Sequence, residues 1–130
     1  MGNMHLKILL PTEVLLHEEI RQVTAESPSG EFCLKPRHID FVTALVPGVL
    51  VYLDQDKAEH FVAVDGGILI KQQEEVSVAA RHAVPGELGE LERVVRKMQE
   101  DFIEREKIGR TAAARLEIGF FRRFLDISGR

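Results

Sequence analysis

A chain of 130 residues, 45% hydrophobic and 29% charged, is long enough for one small core and too short for a multidomain enzyme. The net charge of −4 lacks the basic footprint that phosphate backbones demand, which argues against nucleic acid as a partner. The single cysteine, Cys33, cannot form an internal disulfide and points to a reducing compartment. No stretch approaches the roughly 18 apolar residues of a spanning helix, and the N-terminus has no signal-like apolar core. Direct membrane insertion is therefore not expected.

In chain order, short apolar runs are separated by turn residues. His5–Leu10 ends at Pro11, Val14–Leu16 follows, and Glu19–Ala25 stops at Ser27-Pro28-Ser29-Gly30. Further runs at Glu31–Leu34, Phe41–Val46, Val49–Leu53, His60–Val64, Ile68–Lys71 and Val76–Arg81 bring the total to nine strands without a helical stretch among them. That spacing predicts an antiparallel β-sandwich or flattened barrel. Asp65-Gly66-Gly67 reads as a hairpin turn that requires positive φ.

All five prolines lie at or before Pro85, and the charge balance changes there. Residues 1–85 carry 7 basic and 12 acidic side chains, whereas residues 86–130 carry 10 and 9. The period changes too: Leu88, Leu91, Val95, Met98 and Phe102 recur at steps of three and four, the stripe of an amphipathic helix over 86–108. With Gly109 as a stop and Thr111 as an N-cap, Ala113, Leu116, Phe120, Phe124 and Ile127 form a second stripe. The expected architecture is α+β with segregated parts: a sandwich domain over 1–85 and a C-terminal helical hairpin over 86–130. A continuous helix through Gly109 is the alternative, at about 1 kcal/mol.

Catalytic spacing is missing. The five histidines, His5, His17, His38, His60 and His82, stand singly, without the spacing that aims two ligands at one metal. His38 and Asp40 would face the same way in an extended segment, but a solvated polar pair explains them better. Cys33, alternating with Phe32 and Leu34, reads as a buried thiol. Gly66-Gly67 lacks a following Lys-Ser/Thr, and Gly86 and Gly89 are too closely spaced for a phosphate loop. No cofactor and no metal are expected. Four of the seven phenylalanines fall in the tail, so part of it must pack on a neighbour.

The order of these pieces resembles the epsilon subunits of rotary F-type ATP synthases over nearly the whole length. The resemblance is carried by Met4–Leu15, by Gly30-Glu31-Phe32-Cys33-Leu34-Lys35-Pro36-Arg37-His38, by Phe41–Val46 leading into Pro47-Gly48, and by Val64-Asp65-Gly66-Gly67-Ile68-Leu69. The wording of Leu9–Leu15, Pro36–Val42 and Phe120-Phe121-Arg122-Arg123-Phe124 is similar to an alternate, sodium-translocating subgroup.

The resemblance implies a noncatalytic rotor subunit with a ten-stranded sandwich, fixed to the central stalk at the cytoplasmic face of the membrane. It would touch the gamma subunit and the c-ring loops. Its positions matching the ring-contacting edge are Ser29, Gly30, Glu31, Arg37, His38 and Ile39, expected in turns at one end of the sandwich. Glu31 would offer a carboxylate, and Arg37 and His38 would offer donors. The C-terminal helices would restrain ATP hydrolysis when Arg96, Lys97, Arg105, Arg110, Arg115, Arg122 and Arg123 engage the alpha and beta subunits. Leu88-Gly89-Glu90-Leu91-Glu92-Arg93 stands where some relatives carry an Ile/Leu-Asp-x-x-Arg-Ala ATP-binding motif, and the departure argues against nucleotide binding by the free chain. A free-standing β-sandwich binding module with a helical dimerisation tail is the competing reading. A small hydrolase built on His38 and Asp40 ranks last, because no nucleophile accompanies them.

Overall fold

The computed structural model describes residues 3–128, with side chains described through residue 108. The described residues form ten strands and one helix. The strands are β1 (Met4–Leu9), β2 (Val14–Ile20), β3 (Gln22–Ser27), β4 (Gly30–Leu34), β5 (Phe41–Leu45), β6 (Gly48–Leu53), β7 (Glu59–Val64), β8 (Gly67–Gln72), β9 (Glu75–Ala79) and β10 (Ala83–Gly86), and the helix is α1 (Leu88–Ser128). They build two five-stranded sheets. Sheet A has the order β2-β1-β9-β8-β5 and sheet B the order β10-β7-β6-β3-β4. Neighbours are antiparallel except β1 and β9, which run parallel.

Period-two alternation produces the core. Met4, Leu6 and Ile8 of β1 turn inward while His5 is exposed, and they meet Val76 and Val78 of β9, Leu69 of β8, Val23 and Ala25 of β3, and Leu50, Tyr52, Val62 and Val64 of β6 and β7. The two inner faces thus share one apolar layer, as two packed sheets require.

The sandwich has one strand more than the nine apolar runs. β10 escapes sequence reading because Pro85 sits inside it. A proline removes a ladder donor, but β10 is an edge strand paired only with β7, where that loss is tolerated. The boundary expected after Leu16 lies instead at Arg21. β2 continues through His17, Glu18 and Glu19 because it is also an edge strand, and the chain passes from sheet A to sheet B after buried Ile20. Asp65-Gly66-Gly67 likewise joins two sheets and is not a hairpin, since β7 belongs to sheet B and β8 to sheet A. Its positive φ is as expected, +108° at Gly66 and +129° at Gly67. A Cβ on Gly67 would come within 2.0 Å of the Ala79 carbonyl oxygen, which only glycine avoids.

The chain divides into two compact units, Met1–Gln99 and Glu100–Arg130. In the first, the opening three turns of α1 lie on the outer face of sheet B. Leu91 and Val95 are buried against Ala63, flanked by Val49, Phe61, Val94 and Met98, and Gln99 Nε2 donates to the Pro47 carbonyl over 3.4 Å. The working stripe is thus Leu91, Val94, Val95 and Met98, while Leu88 is 43% exposed at the first turn. The helix begins where the Glu87 carbonyl accepts from Leu91 N–H (3.0 Å). In the second unit the described backbone is that of α1, which continues through Gly109, where sequence pointed to a tight turn, to Ser128. The second expected stripe, from Ala113 to Ile127, lies outside the described side chains.

Candidate functional site

The sequence-selected contact residues surround β4, the edge strand of sheet B opposite β10, whose one partner is β3. They do not share one end of the sandwich. Ser29, Gly30 and Glu31 form the β3–β4 turn and the start of β4, and Arg37, His38 and Ile39 lie in the loop after its far end, roughly 14 Å away for a strand of this length. What joins them is exposure along one edge: all six are exposed, and so is Cys33 between them. The expectation of a buried Cys33 is corrected by register. Phe32 and Leu34 occupy the inward positions, so the thiol between them faces outward.

At the first end, Ser27 Oγ donates to the Gly30 carbonyl (3.0 Å) and accepts from Ser29 N–H (3.2 Å), closing the turn locally, and Gly30 adopts φ +122°. Glu31 pairs directly across the ladder with Glu26. Two exposed carboxylates facing each other repel, so this edge gains from a cation brought by another molecule.

At the second end, a 35–38 turn is closed by His38 N–H donating to the Lys35 carbonyl (2.9 Å). His38 Nδ1 stands 2.8 Å from the Ile39 carbonyl, which can only accept. That contact places the proton on Nδ1 and leaves Nε2 of the neutral ring as an acceptor. The Nδ1–H of His38 is thereby engaged within the loop. Arg37 remains a donor in any state. The ring of His38 packs edge-on against Phe41 with centroids 5.7 Å apart, and Phe41 packs on Phe32 at 5.3 Å.

His38 and Asp40 are not presented as a pair. Asp40 Oδ1 instead accepts from Gln73 N–H (2.7 Å) in the β8–β9 turn. The same turn is tied from within by Lys71, the one charged side chain buried among the described residues, at 2% exposure. Its Nζ donates to the His38 carbonyl (2.5 Å) and the Gln73 carbonyl (2.6 Å). Sequence reading missed Lys71, although the signal was present: in the run Ile68-Leu69-Ile70-Lys71, Lys71 shares its face with core-facing Leu69.

Two aspartate–histidine pairs lie elsewhere. His60 Nε2 is 2.7 Å from Asp54 Oδ2, and His82 Nδ1 is 3.0 Å from Asp65 Oδ2. The hydrogen bond from His60, then those from the Ala58 and Asp56 amides, hold the Asp54 carboxyl below its ordinary range. Asp54 thereby closes the β6–β7 turn, a structural task. Among the described residues no group of three or more His, Cys, Asp or Glu is placed to hold a metal ion, and no helix is long and apolar enough to cross a membrane.

Residues 3–86, the whole sandwich, match the family model described as ATP synthase, Delta/Epsilon chain, beta-sandwich domain. The chain belongs to the ATP synthase delta/epsilon family. It is 38% identical over 98 residues to ATP synthase epsilon chain 2 of Cereibacter sphaeroides, covering 73% of this chain and 67% of that one. To the ATP synthase epsilon chain of Nitratidesulfovibrio vulgaris (strain Miyazaki F) it is 37% identical over 91 residues, covering 70% and 67%. Among solved structures it resembles a chain of the Euglena gracilis mitochondrial ATP synthase (OSCP/F1/c-ring, rotational state 1), with TM-score 0.63, 20% identity, and coverage of 75% of this chain and 64% of that one. A chain of the Tetrahymena thermophila mitochondrial ATP synthase central stalk and c ring gives TM-score 0.52 at 14% identity, covering 62% and 64%. The structural likenesses establish a shared fold. As an epsilon-type chain of this family, the protein is a noncatalytic subunit, which decides against both the hydrolase and the free-standing module.

Proposed function

We propose that this epsilon-family chain sits in the central stalk as a coupling piece, with gamma on one surface and the c-ring loops on another. The observation that carries the reading is the family match over residues 3–86. The surfaces agree with it. On the outer face of sheet A, Val42 lies across from Ile70 and Ala44 across from Ile68, and Val42, Ile68 and Ile70 are 67%, 52% and 43% exposed. A contiguous apolar face of this kind calls for a partner, and gamma is the partner assigned to it. The β4 edge, with Ser29, Gly30, Glu31, Arg37, His38 and Ile39, is assigned to the polar loops of the c ring.

The helical tail is assigned the restraint of ATP hydrolysis. Arg96, Lys97 and Arg105 are exposed on α1, and Arg110, Arg115, Arg122 and Arg123 continue the basic series in the sequence. In this reading the functional division falls at residues 85/86, Gly109 is the point at which the tail folds into a helical pair or extends, and the extended tail engages acidic segments of alpha and beta. The complex then holds the chain at the cytoplasmic face of the membrane through its partners. The wording of Leu9–Leu15 and Pro36–Val42 supports the alternate, sodium-type subgroup.

Co-expression with gamma and the c ring tests the assignment. The unaltered chain co-purifies with both, and Ile70→Glu weakens recovery with gamma while leaving the sandwich folded; failure of the unaltered chain to co-purify refutes the reading. Truncation after Gln99 preserves the Leu91 and Val95 packing and is expected to raise the ATPase rate of the assembled complex. An unchanged rate removes the regulatory role.

A further inference from the structure

We propose that Lys71 is a positioning residue that fixes the 35–40 loop, and with it Arg37, His38 and Ile39, in the conformation offered to the c ring; the inference rests on the ring-contact reading of that loop.

The loop leaves sheet B at Leu34 and enters sheet A at Phe41, so it bridges the two layers with exposed side chains throughout 37–40. Its own backbone supplies the bond from His38 N–H to the Lys35 carbonyl. Two further ties run to β8 and the turn after it: the Lys71 ammonium to the His38 carbonyl, and the Asp40 carboxylate to the Gln73 amide. Lys71 closes the circuit by also donating to the Gln73 carbonyl. Gln73 itself has φ +56°, a left-handed conformation uncommon for a residue with a side chain. Here both its N–H and its C=O are held, one by each member of the clamp.

The chemistry suits lysine. Lys71 stands across from Phe41 in the β5–β8 ladder, facing the core, and its flexible stem carries a compact ammonium to two carbonyls from different segments. A buried ammonium is costly unless hydrogen-bonded. With both carbonyls in place the favoured state is the one in which His38 and Gln73 are correctly set, so the burial cost of the charge becomes a preference for one loop geometry. His38 Nδ1 on the Ile39 carbonyl and the His38–Phe41 ring contact carry that geometry to the side chain.

The test uses the full-length chain with Lys71→Met, which keeps length and removes the donors, and with Asp40→Ala, which cuts the second tie from an exposed position. Exchange of the His38 amide, which donates to the Lys35 carbonyl, is expected to accelerate about tenfold in each, while amides of Leu6, Leu50 and Val62 keep their protection. Affinity for the purified c ring is expected to fall several-fold with Lys71→Met. The loss should be non-additive with His38→Ala and additive with Glu31→Ala, which lies at the other end of β4; a merely destabilising change would be additive with both. Unchanged exchange of the His38 amide in Asp40→Ala overturns the clamp even where Lys71→Met does not fold. Accelerated exchange with additive losses at His38 overturns the positioning role. If Arg37→Ala and His38→Ala leave ring affinity unchanged, the ring-contact reading itself falls, and the exchange data show separately whether the clamp existed.

Discussion

Leu91→Ala separates the docking of α1 from the stability of the sandwich. Leu91 is 2% exposed and forms, with Val95 and Ala63, the center of a small cluster on the outer face of sheet B, distinct from the layer between the sheets. Truncating a buried leucine costs about 2–5 kcal/mol in well-packed cores. This cluster is edged by half-buried Val49, Phe61, Val94 and Met98, which can close over the space, so the low end, about 2 kcal/mol, applies. That corresponds to roughly 30-fold in the local opening equilibrium. Native-state hydrogen exchange should show amides of residues 92–99 accelerating by about that factor, with amides of Leu6, Leu50 and Val62 unchanged. Gly89→Ala is the opposite perturbation: nothing lies within 4 Å of the added Cβ, and an alanine in the first turn gains up to about 1 kcal/mol of helix stability, slowing the same amides as much as fivefold. Equal acceleration in helix and strands after Leu91→Ala would refute independent docking. No acceleration would refute the packing.

Two further perturbations address the sandwich. Gly67→Ala and Gly30→Ala both place a side chain at positive φ, +129° and +122°, but only the former drives its Cβ to 2.0 Å from the Ala79 carbonyl; the added Cβ at Gly30 meets nothing within 4 Å. Urea denaturation should show a loss of about 1 kcal/mol at Gly30 from strain alone, and at least twice that at Gly67, with equal losses refuting the steric account. Tyr52, the one tyrosine in a chain without tryptophan, is pushed up to about 12 by burial first, then by the charge of Glu18 and the hydrogen bond its hydroxyl donates to Glu18 Oε2 (3.3 Å), with Asp54 adding to the shift. Because the folded value lies above the ordinary 10.0, this group's contribution to stability is complete below pH 10 and is lost as pH rises from 10 towards 12. Absorbance titration near 295 nm should find the phenolate forming near pH 12 in the native chain and near pH 10 in urea; a single step at 10 in both would refute the buried, Glu18-bonded environment.

Local patterning made most of the sandwich legible. Turn residues at Pro11, Ser27–Gly30, Pro47-Gly48 and Gly66-Gly67 fall at the ends of strands, and inward positions such as Leu6, Leu50 and Val62 follow period two. What stayed hidden depends on sheet position, which is a property of the whole fold. Pro85 in β10 and the polar run His17-Glu18-Glu19 in β2 are acceptable only because those strands are edges. The parallel pairing of β1 with β9 joins distant segments with no local cue. At the candidate site, residue identity around β4 was visible but geometry was not: Glu31 lies at the start of β4 and Arg37 beyond its far end, and which His38 nitrogen carries the proton depends on the Ile39 carbonyl. Lys71 was hidden because lysines in strands are ordinarily solvated, and its partners are backbone carbonyls that any residue could supply.

The two proposed contact surfaces make sense only in combination. Exposed ion pairs such as one formed by Glu31 contribute about 0–1 kcal/mol each, and salt screens them. Burying the exposed part of Val42, Ile68, Ile70 and Ile39, between 43% and 79% of each side chain, adds roughly 1 kcal/mol per residue. Association in solution costs about 4–15 kcal/mol in lost rigid-body freedom, so neither surface alone holds a subunit on a turning shaft. The 35–40 loop connects them: it begins at the end of the β4 edge, carries 79%-exposed Ile39, and runs directly into β5, whose Val42 starts the apolar face. Once one partner is engaged, the other meets its surface at high effective concentration, and the second contact forms without a second full entropic cost. A loop held rigidly between the two surfaces preserves that advantage; a loosened loop lets each contact form at the expense of the other's geometry. On this reading, losing the clamp at Lys71 weakens attachment to the assembled rotor more than it weakens binding to an isolated gamma subunit.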